Sequence, residues 1–130
     1  MHASVHLAPV PESAARARDF VDGTLRTWEC RDTVDEARVV VTELVSNVVR
    51  HAGTDLAIDL DLEGDCLRLT VADRGEGDVA VRAADQGSEV GRGLQLVDEL
   101  TGRWGVVRQR GQKCVWAEWR VGGRSASVRA

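Results

Sequence analysis

The sequence predicts an α+β fold: a two-layer α/β sandwich whose mostly antiparallel sheet is covered on one face by three helices. Two observations lead to this prediction. Three runs place apolar residues three and four positions apart, as in amphipathic helices, and two pairs of strand-like runs are separated by short turns, as in hairpins. Hairpins build an antiparallel sheet, and amphipathic helices need such a sheet to cover their apolar faces.

Length and composition indicate a single cytoplasmic domain. The chain has 130 residues, and we expect a domain over residues 1–121 followed by a disordered Gly-, Ser- and Arg-rich tail over residues 122–130. The net charge of −4 argues against a general nucleic-acid-binding protein. No apolar run approaches the ~18 residues of a membrane span, and no signal peptide is recognisable. The cysteines, Cys30, Cys66 and Cys114, form no close pair, which favours reduced thiols over disulfides or a zinc site.

The first predicted elements are a short strand at residues 5–7 and a helix that begins near Pro11 and ends near Trp28. Proline is tolerated in the first turn of a helix. The apolar stripe of this helix comprises Ala14, Ala17, Phe20, Val21, Leu25 and Trp28.

The second predicted helix begins at a cap formed by Asp32 or Thr33 and ends at Gly53. Glu43 and Asn47 lie four residues apart on it, so their side chains share one side of the helix. A carboxylate and an amide at the edge of a buried face suit a binding site, but from this pair alone a solvated Glu and a surface Asn are the more common arrangement on helices. The buried face comprises Val41, Leu44, Val45, Val48, Val49 and Ala52.

Beyond this helix the apolar period changes from 3.6 to 2, which indicates strands. Residues 56–62 and 67–71 should form a hairpin, because only a short turn joins them. A polar loop is predicted at residues 78–90, closed by the glycines at positions 91 and 93.

The last predicted elements are a third helix over residues 94–100 and a pair of strands at residues 104–108 and 115–121. Trp116 and Trp119 lie three positions apart in the last strand, so they should face opposite sides of the sheet.

Two glycine motifs flank the predicted loop. Asp73, Gly75 and Gly77 follow a strand, and residues 91–94 read Gly-Arg-Gly-Leu where the third helix should open. A carboxylate at a strand end can accept a hydrogen bond from an amine such as that of adenine, and glycine lets the backbone approach a flat ligand. Free N–H groups at a helix N-terminus favour phosphate. Each motif alone also fits a plain turn, a calcium loop or a flexible helix entry, whereas a P-loop and a Rossmann fingerprint are not found.

Taken in order, E-x-x-x-N on a helix, D-x-G-x-G after a strand and G-x-G-L at a helix resemble the GHKL ATPases, whose ATP-binding domain is the Bergerat fold. Within that superfamily the chain is most similar to small anti-sigma factors that are also serine/threonine protein kinases. The resemblance covers residues from about 5 to 121.

The resemblance implies a role for each motif residue. Asn47 would bind a Mg²⁺ ion that bridges ATP phosphates, and Glu43 would act as general base. Asp73 would hold the adenine amino group, with Gly75 and Gly77 making room for the base and ribose. The residues that the resemblance implies for binding the phosphates are Gly91, Arg92, Gly93, Leu94 and Arg50.

Three further implications concern the surroundings of this site. The loop at residues 78–90 would be its lid. His51 lies beside the site, as a packed structural residue or a functional one. Cys114 would stand where the family usually has a Thr that supports the adenine-binding Asp; because a thiol is a weak hydrogen-bond partner, ATP affinity would be reduced.

The implied function is that of an anti-sigma factor that uses Mg·ATP to phosphorylate a STAS-domain antagonist and holds a sigma factor inactive until the antagonist displaces it. Relatives commonly form homodimers, and neither nucleic acid nor a membrane is an expected direct partner. The alternative is an interaction module that binds a sigma factor or an antagonist, with nucleotide bound weakly or not at all.

Overall fold

The computed structural model describes residues 1–75 and 89–121, with residues 89–94 described by their backbone alone. A 3-10 turn at Arg31–Thr33 precedes the second helix, and a π-helical turn at Val48–Ala52 follows it. The regular elements are β1 (His2–Leu7), α1 (Ser13–Thr27), α2 (Val34–Asn47), β2 (Leu56–Glu63), β3 (Cys66–Asp73), α3 (Glu89–Leu100), β4 (Arg103–Gln109) and β5 (Gln112–Arg120).

The strands form one five-stranded sheet in the order β1-β2-β3-β5-β4, and every neighbouring pair is antiparallel. Both predicted hairpins are present, β2 with β3 and β4 with β5. The helices cover one face of this sheet, so the predicted α+β sandwich is confirmed.

Strand alternation separates a helix-covered face from an open face. Side chains such as Ile58, Leu69 and Ala117 point to the helices and are fully buried. They meet the buried stripes of α1 and α2, which include Val21, Leu25, Val40, Val41 and Val45. Their strand neighbours, among them Asp59 and Arg68, lie on the other face, as the period of two requires.

The two tryptophans of β5 confirm the predicted division of faces. Trp119 is buried, and its Nε1–H donates a hydrogen bond of 2.7 Å to the carbonyl oxygen of Leu100 at the end of α3. Trp116 lies on the open face, where the guanidinium groups of Arg68 and Arg103 stand 4.7 Å and 5.9 Å from its ring centroid. The open face therefore carries a charged and aromatic surface, while the other face holds the core.

Two local predictions are corrected. Thr33 precedes α2, but its side chain makes no capping hydrogen bond, and neither does any side chain at the start of α1. The third helix begins at Glu89, five residues earlier than predicted, so the glycines at positions 91 and 93 lie within its first turns. The helix ends as predicted before Gly102.

Several expectations cannot be compared with the structure. The predicted tail at residues 122–130, Gly77 and residues 78–88 of the predicted loop lie outside the described residues. Within residues 1–75 and 89–121, no helix combines the length and apolarity that crossing a bilayer requires. All three cysteines lie among the described residues, and none of them forms a disulfide.

Candidate nucleotide site

The site begins where α2 changes its helical form. Asn47 is the last α-helical residue, and the next five residues form a π-helical turn. The amide of Gly53 donates to the carbonyl of Val48 at 2.9 Å, and Gly53 ends the turn with a φ of +66°, which glycine adopts without strain. Single π-turns inside helices are frequent at functional sites because they widen the backbone locally.

Asn47 has a buried oxygen without a partner. Its side chain is 7% exposed, and Oδ1 has no hydrogen bond within the described structure. An unpaired buried acceptor costs about 1–3 kcal/mol, so such groups are rare unless a ligand or an ion completes them. An amide oxygen is a suitable ligand for Mg²⁺. Among the described residues no cluster of three or more His, Cys, Asp or Glu side chains could hold a metal by itself, so Asn47 would need phosphate oxygens as co-ligands.

Asp73 provides a second buried, unpaired oxygen at the end of β3. Its side chain is 2% exposed, and Oδ1 accepts a 2.7 Å hydrogen bond from the amide of Gly75. The other oxygen, Oδ2, has no hydrogen-bond partner in the described structure. The ammonium group of Lys113 lies 3.6 Å from Oδ2, which is an ion pair but longer than a hydrogen bond. Oδ2 is thus free to accept a hydrogen bond from a ligand amine.

Close packing joins the end of β3 to the π-helical turn. A Cβ atom built on Gly75 would lie 2.4 Å from the Cβ of Ala52, so only glycine fits at this position. The amide of Arg74 donates to Oγ1 of Thr54 at 3.1 Å. These contacts bring the helix that carries Asn47 to the strand that carries Asp73. They also give Gly75 a packing role, in addition to the space for a base that the resemblance implies.

Glu43 lies one turn before Asn47 on α2 and is half-buried. It lines a groove of about 370 Å³ between α1 and α2, together with Arg18, Asp35, Arg38, Val39 and Thr42. One wall of the groove is held by a 3.2 Å hydrogen bond from Arg18 Nη1 to Oγ1 of Thr42. The carboxylate is therefore open to a second molecule that approaches along the outer side of α2.

Arg50 and His51 lie in the π-helical turn, and both are exposed. Partial desolvation lowers the pKa of His51, and the positive charges of Arg50 and Lys113 lower it further. Because His51 is exposed, the structure does not support a packed structural role for it.

The structure corrects the position assigned to Cys114. In the β3–β5 register, Asp73 lies opposite Lys113, whereas Cys114 lies opposite Ala72 and so points to the open face. Burial and the charges of Asp73 and Asp59 raise the pKa of the Cys114 thiol. Lys113 is therefore the residue beside the carboxylate of Asp73, one position before the residue that the sequence predicted there. Counting strand alternation back from the buried Trp119 would have identified it.

The early start of α3 changes the expected phosphate cradle. In a helix that begins at Glu89, the N–H groups without an acceptor in the helix are those of residues 89–92. The amide of Leu94 is not among them, so the donors that lack an acceptor within the helix lie in its first turn, which includes Gly91 and Arg92. Gly93 follows directly within the helix.

Sequence comparison decides the family. The sequence model of the histidine kinase-like ATPase domain matches residues 7–119, nearly the whole chain. The chain belongs to the histidine kinase-like ATPase domain family. As a member of this family of ATP-binding, kinase-related domains, it has its Glu43, Asn47 and Asp73 on the expected elements, α2 and the end of β3. No curated protein matches the chain significantly.

Solved structures show the same fold for this ATPase-family chain. The RsbU and RsbW domains of Rv1364c from Mycobacterium tuberculosis match with a TM-score of 0.61 and 18% identity, over 92% of this chain and 32% of that one. The histidine kinase domain of the blue-light-activated kinase EL346 from Erythrobacter litoralis matches with a TM-score of 0.57 and 23% identity, over 75% of this chain and 48% of that one. The chain thus spans a third to a half of the length of these proteins.

Proposed function

We propose that the protein is an ATP-binding anti-sigma factor with serine/threonine kinase activity toward a STAS-domain antagonist. One observation carries the nucleotide-binding part of this proposal. Asn47 Oδ1 and Asp73 Oδ2 are both buried and both lack a hydrogen-bond partner in the described structure. These two acceptors lie on α2 and β3, which close packing joins. One ligand that brings a metal ion to Asn47 and an amine to Asp73 would give both oxygens a partner.

Mg·ATP supplies both partners. Asn47 would hold Mg²⁺, which when bound neutralises phosphate charge and orients the terminal phosphoryl group. Asp73 Oδ2 would accept a hydrogen bond from the adenine amino group. Positioning and charge neutralisation account for most catalysis of phosphoryl transfer, so these two residues fix where the terminal phosphate lies relative to Glu43.

Glu43 is proposed as the general base. Its carboxylate would accept the proton of the attacking Ser or Thr hydroxyl as oxygen attacks the terminal phosphorus and ADP leaves. The groove between α1 and α2, which Glu43 helps to line, leaves room for the segment that carries this hydroxyl. A protein acceptor is favoured because the groove is open along the outer surface of α2.

The proposed partners are a sigma factor and a STAS-domain antagonist. The support is the similarity of the sequence motifs to anti-sigma kinases and the likeness of the fold to a structure that contains an RsbW domain. In this role the protein would act in the cytoplasm, where sigma factors engage RNA polymerase.

Calorimetric titration with ATP, with and without Mg²⁺, tests the binding step. We expect Mg²⁺ to strengthen binding in the wild type, and Asn47→Ala to remove that metal dependence. Ser46→Ala, one residue earlier on α2, is the matched control and should bind like the wild type. Binding by Asn47→Ala with unchanged metal dependence would contradict the assignment of Asn47.

Transfer of labelled terminal phosphate to a STAS-domain protein tests the kinase step. The wild-type protein should transfer phosphate to a Ser or Thr of the acceptor, and a variant without the Glu43 carboxylate should not. If the wild type fails to bind even millimolar ATP, the interaction-module alternative is favoured, and a sigma factor should then bind without nucleotide.

A further inference from the structure

Lys113 has an unusual place in the nucleotide site. It is the only lysine in the chain, it is 5% exposed, and it lies on β5 directly opposite Asp73. An ammonium group is rarely buried unless it is paired, because removing it from water is costly. Its partner is the carboxylate of Asp73, but the 3.6 Å separation leaves the Asp73 oxygen Oδ2 without a hydrogen bond.

The pair of side chains offers two different hydrogen-bonding groups side by side. Asp73 Oδ2 is a pure acceptor with no hydrogen bond, and the Lys113 ammonium is a pure donor 3.6 Å away. The two are too far apart to satisfy each other fully. A ligand edge with a donor beside an acceptor would complete both groups at once.

We propose that Lys113 determines base specificity by donating a hydrogen bond to the N1 ring nitrogen of adenine while Asp73 accepts from the amino group. This inference rests on the proposed nucleotide site and adds a second base-reading side chain to it. In adenine the amino donor lies directly beside the unprotonated N1 acceptor. In guanine the corresponding positions carry a carbonyl acceptor and an N–H donor, so the order is reversed.

The ammonium group should discriminate between bases more strictly than a hydroxyl group would. A hydroxyl can rotate to donate or to accept, whereas an ammonium can only donate. A base without an acceptor at the N1 position would leave a buried charge unpaired, and sites that bury unpaired polar groups reject such ligands strongly. The hydrogen bond to N1 is also charge-assisted and therefore stronger than a neutral one.

Calorimetric binding of two nucleotides to two proteins tests the proposal. The nucleotides are Mg·ATP and the magnesium complex of 1-deaza-ATP, in which a C–H group replaces N1 and the amino group is kept. The proteins are the wild type and Lys113→Met, because methionine has a similar unbranched chain without a donor. We expect the wild type to bind ATP at least about tenfold more tightly than 1-deaza-ATP. Lys113→Met should bind the two nucleotides with nearly equal affinity.

Two further variants control for the unpaired carboxylate that Lys113→Met leaves and for a substitution elsewhere on β5. Asp73→Asn combined with Lys113→Met removes both charges together and avoids an unpaired buried carboxylate, while Asn still offers an acceptor. It should also fail to distinguish the two nucleotides. Cys114→Thr, whose side chain lies on the opposite face of β5, is the matched control and should keep the wild-type preference.

The outcomes separate this inference from the proposed function. If the wild type binds both nucleotides equally, or if Lys113→Met keeps the preference for ATP, Lys113 does not read N1 and the inference is wrong, although the nucleotide site stands. If ATP binds only after Lys113 is replaced, the lysine obstructs the pocket and the inference is again wrong. If no variant binds either nucleotide, the proposed function and the inference fail together.

Discussion

Gly75 and Ala52 are in such close contact that a side chain at position 75 would put its Cβ 2.4 Å from the Cβ of Ala52 and 2.9 Å from its Cα. Ala52 is the last residue of the π-helical turn that follows Asn47. The close contact therefore determines the distance between the Asp73 end of β3 and the Asn47 end of α2. Replacing this glycine should disturb folding and ligand binding together.

We predict that Gly75→Ala lowers the free energy of unfolding by about 1–3 kcal/mol, as overpacking of a tight contact does, and weakens ATP binding. Urea unfolding and calorimetry measure the two effects. Gly23→Ala is the matched control, because no atom lies within 4 Å of the Cβ it would add on α1. It should raise stability by up to about 1 kcal/mol through helix propensity. Equal effects of the two substitutions would contradict the packing role of Gly75.

The role proposed for Glu43 in phosphate transfer should be separable from nucleotide binding. Glu43 lies one turn from Asn47 and lines the groove between α1 and α2, where the proposed mechanism places the incoming hydroxyl. We predict that Glu43→Gln binds Mg·ATP within about twofold of the wild type while phosphate transfer falls by at least about a hundredfold. Calorimetry and a labelled-phosphate assay give the two values. Glu36→Gln, at an exposed position in the first turn of the same helix, should leave both unchanged.

The contrast between Lys113 and Cys114 shows what the sequence could and could not predict. The alternating pattern identified both hairpins, because each strand buries every second residue. The sequence pattern placed Asn47 on the second helix and Asp73 at the end of a strand, and the structure has both there, because each position depends on a single regular element. Which residue lies opposite Asp73 on the neighbouring strand depends on the register of the two strands. An error of one residue in that register moves a side chain to the other face of the sheet. The family resemblance placed Cys114 beside Asp73 without fixing that register, and the register puts Lys113 there.

Two other differences have related causes. The start of α3 was placed after Gly93 because glycine is a poor helix former, yet Gly91 and Gly93 continue the helix from Glu89. Packing and hydrogen bonding within an element can override such local preferences. The close contact of Gly75 with Ala52 joins segments separated by a hairpin, and no local pattern reports such a contact.

Trp119 should contribute to stability through its indole N–H. The bond from Nε1 to the carbonyl of Leu100 satisfies one of the free carbonyls at the end of α3 and ties that helix to β5. We predict that Trp119→Phe lowers the free energy of unfolding by about 2–3 kcal/mol, because it leaves the partly buried carbonyl of Leu100 without this donor and a cavity in place of the larger indole. The matched control is Trp104→Phe, whose Nε1–H bonds to Oδ1 of Asp98 in an exposed position and should cost about 1 kcal/mol or less. Thermal unfolding of both variants makes the comparison.

The carboxylate of Glu118 should make stability depend on pH in the acidic range. It is 8% exposed on the open face of the sheet and accepts hydrogen bonds from Arg68 at 2.8 Å and from Arg103 at 2.7 Å. The hydrogen bond from Arg103 lowers the pKa of Glu118 most, and Arg68 lowers it further against the opposing effect of burial.

Because the pKa of Glu118 is lower in the folded protein than in the unfolded chain, its ion pairs stabilise the fold fully above the ordinary value of about 4.5. This stabilisation is lost as the pH falls through the lower, folded-state pKa. We predict that Glu118→Gln reduces the free energy of unfolding by about 1 kcal/mol at pH 7, a modest amount because both arginines are exposed to solvent.

Urea unfolding of the wild type and Glu118→Gln at a series of pH values gives the measurement. The difference in stability between the two proteins should be constant from pH 7 down to about 4.5 and should shrink at lower pH, because the wild-type carboxylate then becomes neutral as well. Arg103→Met should show the same convergence, since it removes the partner with the largest effect on the pKa of Glu118. A difference that stays constant to the lowest pH would show that Glu118 stabilises the sheet by packing and not by its charge.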